Sequence, residues 1–185
     1  MKSVLISIKP KWCEKIASGE KTIEVRKSAP QQVSFKAYIY CTNGEYSPTN
    51  CGKKSISDCL ILNRNVVNGR VIGEFICDKV EKLEEHIEQG GLYYTLDNDF
   101  NEKAQLDNWE LYDYGEGKTL YGWHVSDLKI YDKPRELSEF GQKCDNANEI
   151  RCRNCLLFEE WDNCCSIMCK PLTRPPQSYM YVEEL

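Results

Sequence analysis

The 185-residue chain lacks any apolar run long enough to cross a bilayer, and no apolar stretch follows its N-terminus in the manner of a secretory signal. Those two absences predict a cytoplasmic protein with no membrane partner. No internal repeat is visible, which sets aside solenoid and propeller arrays. Basic charge is not in excess either. At a net charge of −5 the chain as a whole is a poor general phosphate binder, since non-specific nucleic-acid affinity comes from many Lys and Arg contacts. A disulfide framework is also missing. Eleven cysteines are present, but their odd number and the scattered singles Cys13, Cys41, Cys51, Cys59 and Cys77 do not pair off as in a small secreted scaffold. Most of those five lie in apolar patterns and read as small core residues or inert thiols.

What charge there is lies unevenly. Residues 1–36 hold seven Lys and one Arg against three Glu, a balance of +5, whereas residues 78–116 hold twelve acidic against three basic residues, a balance of −9. A basic rim around one site would steer a nucleotide or an RNA end towards it. Both runs read equally as solvated faces.

The densest signal is Gly19-Glu20-Lys21-Thr22-Ile23-Glu24-Val25-Arg26. Pro10 suits a first helical position, and Trp12, Cys13, Ile16 and Ala17 recur at helical spacing, so residues 10–18 predict a short helix closed by Gly19. In the strand that follows, alternation places Ile23 and Val25 on one face and Thr22, Glu24 and Arg26 on the other. Lys21 has the wrong parity for that trio and reaches it only from the turn. Two readings stay open: a solvated Glu24–Arg26 pair on an outer strand face, or a polar site at the helix-to-strand junction.

Further strands are predicted at Val4–Ile8, Lys36–Cys41, Arg70–Val80, Trp123–Tyr131 and Met180–Glu183, with a bulge or close backbone approach at Gly73. Residues 42–67 read as a long loop, and 83–89 is ambiguous between helical turn and loop. Asp107 followed by Glu110 marks a capping box opening a short helix that leaves at Gly115. Asp132-Lys133-Pro134 ends the Trp123–Tyr131 strand. Many short strands with two clear helices imply a mainly β, α+β fold, a small closed or partly closed β-barrel decorated by helices.

The last quarter carries Cys144, Cys152-x-x-Cys155, Cys164-Cys165 and Cys169. A Cys-x-x-Cys turn with a second close pair lets four thiolates meet one tetrahedral ion, which gives a loop-rich segment folding energy it cannot find in a core. Structural zinc on Cys152, Cys155, Cys165 and Cys169 is expected, with Cys164 and Cys144 as interchangeable substitutes. Reduced, unliganded thiols, or disulfides formed only on purification, are the competing reading.

Ser7-Ile8-Lys9-Pro10 with Trp12, the Gly19-x-Lys21-x-x-Glu24-x-Arg26 pattern, and Gly122-Trp123-His124 before an aliphatic strand resemble the ASCH domain of the PUA-like superfamily. Its phage and prophage-type members with a Cys-rich tail are the particular likeness. The resemblance implies a PUA-like small barrel over residues 1–140, a Cys-rich zinc-binding insertion over 141–172, and a final strand over 173–185 that returns to the barrel. It further implies a polar cleft at the barrel mouth that binds RNA or a modified nucleobase, lined by Lys21, Glu24 and Arg26 and joined by Lys9, Trp12 and His124. The side-chain types suit such a ligand, because Arg offers a planar fork, Glu accepts from an exocyclic amine, and an aromatic stacks on a base at about 1 to 3 kcal/mol. His124 also reads as a satisfied structural histidine.

Some family members are amidohydrolases acting on acetylated cytidine, through a Lys and a Thr of this motif and a downstream Glu. Lys21 matches, but Glu24 stands at the Thr position, Thr22 is off register, and Glu84, Glu85 and Glu88 compete for the downstream place. Others are proposed to cleave RNA, for which Lys21, Glu24 and Arg26 would supply general acid–base and phosphate-stabilising groups, Lys21 and Glu24 being the catalytic residues if the chain is an enzyme. A hydrolase using the same cleft is thus the alternative to a binding module. A zinc-stabilised protein-interaction domain is the second alternative.

Overall fold

The computed structural model describes residues 1–44, 67–88, 91–94, 98–142 and 170–185. The fold is mainly β with three helices among these residues. In chain order the elements are β1 Ser3–Ile8, α1 Pro10–Ala17, β2 Ile23–Arg26, β3 Phe35–Cys41, β4 Arg70–Cys77, β5 Val80–Leu83, β6 Glu85–Glu88, β7 Gly91–Tyr94, α2 Asn98–Ala104, α3 Asn108–Gly115, β8 Leu120–His124, β9 Ser126–Arg135, β10 Phe140–Gln142, β11 Lys170–Pro171, β12 Tyr179–Tyr181 and β13 Glu183–Glu184.

A five-stranded sheet in the order β12-β1-β3-β4-β9 carries the central core, and a three-stranded sheet β2-β8-β5 stands beside it. Two long stretches of chain serve both sheets. The first runs from β4 into β5 through Asp78–Lys79, the second from β8 into β9 through Val125. The corner is stitched by His124 N–H to Lys79 O at 3.0 Å and Val125 N–H to Thr22 O at 2.9 Å. Arg70–Val80 and Trp123–Tyr131, each predicted as one strand, are therefore each divided by the bend. Among the described residues the sheets do not close fully into the closed or partly closed barrel expected: β12 and β9 remain as edges of the central sheet. β9 continues through Pro134 to Arg135, past the predicted stop, because an edge strand tolerates a residue with no N–H to donate.

Gly73 is required where it stands. A Cβ there would lie 2.5 Å from Lys129 O, and the β3–β4 and β4–β9 registers both shift beside it, so close approach and bulge coincide. Residues 85–88, left between helix and loop by their sequence, form a hairpin strand against β7. Tyr179–Tyr181 and Glu183–Glu184 divide the expected last strand between two sheets. Most of the predicted 42–67 loop, and the whole span from 143 to 169 with all six tail cysteines, lie outside the described residues.

The largest buried cluster packs β1, α1, β3 and β4 around Ile6, Ile16, Phe35, Phe75 and Trp123. A second joins Ile23 and Val25 of β2 to Phe100 and Ala104 of α2 and Leu111 of α3. β2 is thereby covered on both sides, and all four of its residues are buried.

Candidate functional site

The helix-to-strand junction is where the two clusters meet. Pro10 occupies the first turn of α1, whose N-cap Lys9 is extended and makes no side-chain cap, and Gly19 at φ 78° lets the chain reverse into β2. Lys21 then lies in the turn and Glu24 and Arg26 in the strand. In the β2–β8 register Glu24 faces Trp123 and Arg26 faces Tyr121, so the polar residues of β2 share a face with a fully buried tryptophan. The solvated-pair reading is therefore overturned. Alternation separates the two faces as expected, but both faces point inward.

Lys21, Glu24 and Arg26 are exposed by only 2%, 5% and 7%. Arg26 Nη2 lies 3.0 Å from Glu24 Oε1, and Lys21 Nζ lies 3.6 Å from Glu24 Oε2, so one carboxylate serves two cations. Each cation is also tied to backbone. Lys21 Nζ donates to Ala104 O of α2 and Arg26 Nη2 to Ser7 O of β1, both at 2.5 Å. The Nε of Arg26, also buried, has no hydrogen-bond partner among the described residues. Burial lowers the pKa of the Lys21 amine, and Glu24 offsets part of that shift.

Above this triad opens a cleft of about 590 Å³, within the size range of small-ligand sites. Its walls include Lys9, Trp12, Lys21, Glu24 and Arg26, then Glu110, Asp113 and Tyr114 of α3, and Pro175, Pro176 and Gln177 ahead of β12. Trp12 is partly exposed, with Lys21 Nζ 5.0 Å and Lys11 Nζ 4.2 Å from its ring centre. The six charged lining residues balance, three of each sign.

Five of the six predicted binding residues thus converge on one concavity. His124 does not line it. Its Nε2 lies 2.9 Å from Glu81 Oε1 at the sheet corner. The Glu81 carboxyl is held below its usual range first by Lys79 and then by His124. Thr22 gives its N–H to Lys103 O and its carbonyl to Val125, and it does not line the cleft. Glu84 pairs with Lys82 in the open, and Glu85 and Glu88 belong to the β6 hairpin.

The carboxylates that the cleft does gain, Glu110 and Asp113, were legible only as parts of the capping-box helix. That box is present in full: Asp107 Oδ1 accepts from Glu110 N–H at 2.7 Å, and Glu110 Oε2 accepts from Asp107 N–H at 3.1 Å. Glu110 also lies 3.6 Å from Lys11 Nζ, joining α3 to α1 across the mouth. Among the described residues no group of three or more His, Cys, Asp or Glu is arranged to hold a metal ion. No helix there is long and apolar enough to cross a membrane.

Residues 6–168 match the family model described as the ASCH domain. Among solved structures the chain resembles the crystal structure of ASCH from Zymomonas mobilis, with a TM-score of 0.53 and 21% identity over 98% of this chain and 88% of that one. A tyrosine-to-phenylalanine mutant of the same protein matches at 0.53 and 20% identity over 99% and 91% of the two chains. A serine-to-alanine mutant matches at 0.54 and 20% identity over 98% and 89%. At such identity these likenesses carry the fold alone. No curated protein matches the chain.

Proposed function

The chain belongs to the ASCH domain family, a PUA-like fold generally linked to RNA binding, and from that premise we propose that it binds RNA or a modified nucleobase in the cleft over Lys21, Glu24 and Arg26. The observation that carries this reading is the buried Lys21–Glu24–Arg26 triad, with an Arg26 Nε that has no partner among the described residues. Burying three charges is expensive, and a buried ion pair is weak evidence for stability, so a triad kept at the bottom of a cleft is better explained by a ligand than by the fold. An acceptor oxygen on a base would satisfy the orphaned N–H, and a donor amine suits the remaining lone pairs of Glu24. Trp12 supplies an aromatic surface for stacking.

The balanced lining favours an uncharged base inside the cleft. Phosphates would be met at the rim on the α1 side, where Lys9 lines the cleft and Lys11 and Lys15 lie beyond it. Hydrolysis is the second reading, favoured by one observation: a lysine whose pKa is lowered by burial, beside a carboxylate, is equipped for proton transfer. Against it, Glu24 is held by two cations and stands where the acetylated-cytidine hydrolases carry a hydroxyl. Incubating the protein with a panel of modified nucleosides and short RNAs, and assaying both retention and product, separates the two. Retention without product is expected. Turnover lost on replacing Lys21 or Glu24 would make the chain a hydrolase.

A further inference from the structure

Residues 172–178 form a strap along the cleft that is fixed at both ends. Leu172 N–H donates to Phe140 O at 2.8 Å, and Ser7 N–H donates to Ser178 O at 3.1 Å. Between these anchors Ser7 Oγ donates to Pro176 O at 2.6 Å while Ser7 O accepts from Arg26 Nη2, so one residue of β1 ties the strap to the triad. Arg174 and Pro175 each precede a proline, which disfavours helical backbone at both and keeps the strap extended. Pro175, Pro176 and Gln177 line the cleft. β12 runs antiparallel to β1, so Arg174, two residues before Pro176, and Lys9, two residues after Ser7, leave the Ser7–Pro176 contact in the same direction. Two residues of extended chain span about 7 Å, which keeps both side chains at the rim. Other cations around the cleft are engaged. Lys21 and Arg26 share Glu24, Lys11 faces Glu110 at 3.6 Å, Lys15 donates to Gln105 Oε1 at 2.7 Å, and Lys27 to Glu116 Oε2 at 2.7 Å. The Lys9 and Arg174 side chains are exposed, and neither has a hydrogen-bond or ion-pair partner among the described residues.

We propose that Lys9 and Arg174 form a phosphate clamp at the rim, so that the cleft takes a base still joined to its phosphate, as a nucleotide or a unit of RNA, in preference to the free nucleoside. The inference rests on the nucleobase reading of the cleft and adds to it a residue, Arg174, that no motif in the sequence marks. Arginine presents a planar fork to two phosphate oxygens, and lysine adds a mobile point charge beside it. Selectivity for phosphate must come from these two groups. The lining is balanced even with Lys9 counted, and the chain carries a net charge of −5, neither of which attracts a dianion. Glu110 and Asp113 of α3 repel a phosphate from their side of the mouth, so the ligand enters in one orientation.

The test titrates the full chain, at constant ionic strength and by calorimetry, with the ordinary ribonucleosides and acetylated cytidine, and with the 3′- and 5′-monophosphate of each. For the wild type at least one monophosphate is expected to bind about tenfold tighter than its nucleoside. Arg174→Gln and Lys9→Gln should each lower that ratio several-fold. Lys133→Gln, which removes a charge from β9 at the opposite edge of the central sheet, should leave the ratio as it is. Circular dichroism verifies the fold of each variant. Nucleoside and monophosphate bound equally by the wild type, or a ratio unchanged in either clamp variant, would overturn the clamp and leave the base reading intact. Binding of none of these probes would overturn both.

Discussion

Glu24 holds two buried cations, and removing its charge leaves both without a counter-ion at the buried floor of the cleft. Glu24→Gln keeps the shape, so the expected loss of about 3 to 5 kcal/mol in urea unfolding reports the charge alone. A loss indistinguishable from zero would mean that water reaches the triad freely. Lys21 makes a separate prediction. Its folded pKa is lowered by burial, so between that value and the ordinary lysine pKa of about 10.4 the unfolded chain binds more protons than the folded one. The wild type should therefore gain stability relative to Lys21→Met as pH rises through that window, and the gap should be flat below it. A gap that narrows with rising pH would reverse the sign and the assignment. At this scale the sequence was partly legible. Mixed charge at a helix-to-strand junction drew attention to Lys21, Glu24 and Arg26, but period-two alternation cannot tell a solvated face from one covered by a second layer. His124 was misplaced for a similar reason, since a motif gives the neighbours of a residue along the chain and not the sheet corner at which it turns.

Two elements set the width of the cleft. α3 contributes Glu110, Asp113 and Tyr114, and its start is fixed by the Asp107–Glu110 box. Asp107→Ala should cost about 1 kcal/mol and weaken ligand retention together with it, which thermal unfolding and a binding titration check in parallel. α2 holds Lys21 through Ala104 O, and it packs Phe100 onto Gly122 so closely that a Cβ there would lie 2.6 Å from the ring. Gly122→Ala should therefore displace α2 and destabilise by about 1 to 3 kcal/mol. An unchanged midpoint would show that the helix moves at no cost. α3 was readable because a capping box is a local signal. The bends at Asp78–Lys79 and Val125 were not, because neither carries a glycine or proline and the turn from one sheet to the other is dictated by what packs beneath it.

For the whole molecule, the mainly β class followed from strand counting, whereas closure into a barrel did not, since it depends on long-range pairing of edges that no local pattern records. Gln142 and Lys170, on either side of residues 143–169, are register partners in β10 and β11. The zinc proposed for Cys152, Cys155, Cys165 and Cys169 predicts about one equivalent of metal in protein purified under reducing conditions, with chelation loosening the tail. Protein that is folded and free of zinc would dismiss it. The central claim, that the Lys21–Glu24–Arg26 cleft is a nucleobase site that binds without cleaving, is tested most directly by measuring retention of the nucleoside and RNA panel, and acetate release from acetylated cytidine, on wild type, Trp12→Ala and Glu24→Gln at equal folded fraction. Retention by the wild type is expected, with about tenfold weaker retention by Trp12→Ala through the lost stack, altered retention by Glu24→Gln, and no appreciable acetate release. Retention unchanged in both variants, or robust acetate release by the wild type that Glu24→Gln abolishes, would contradict that claim.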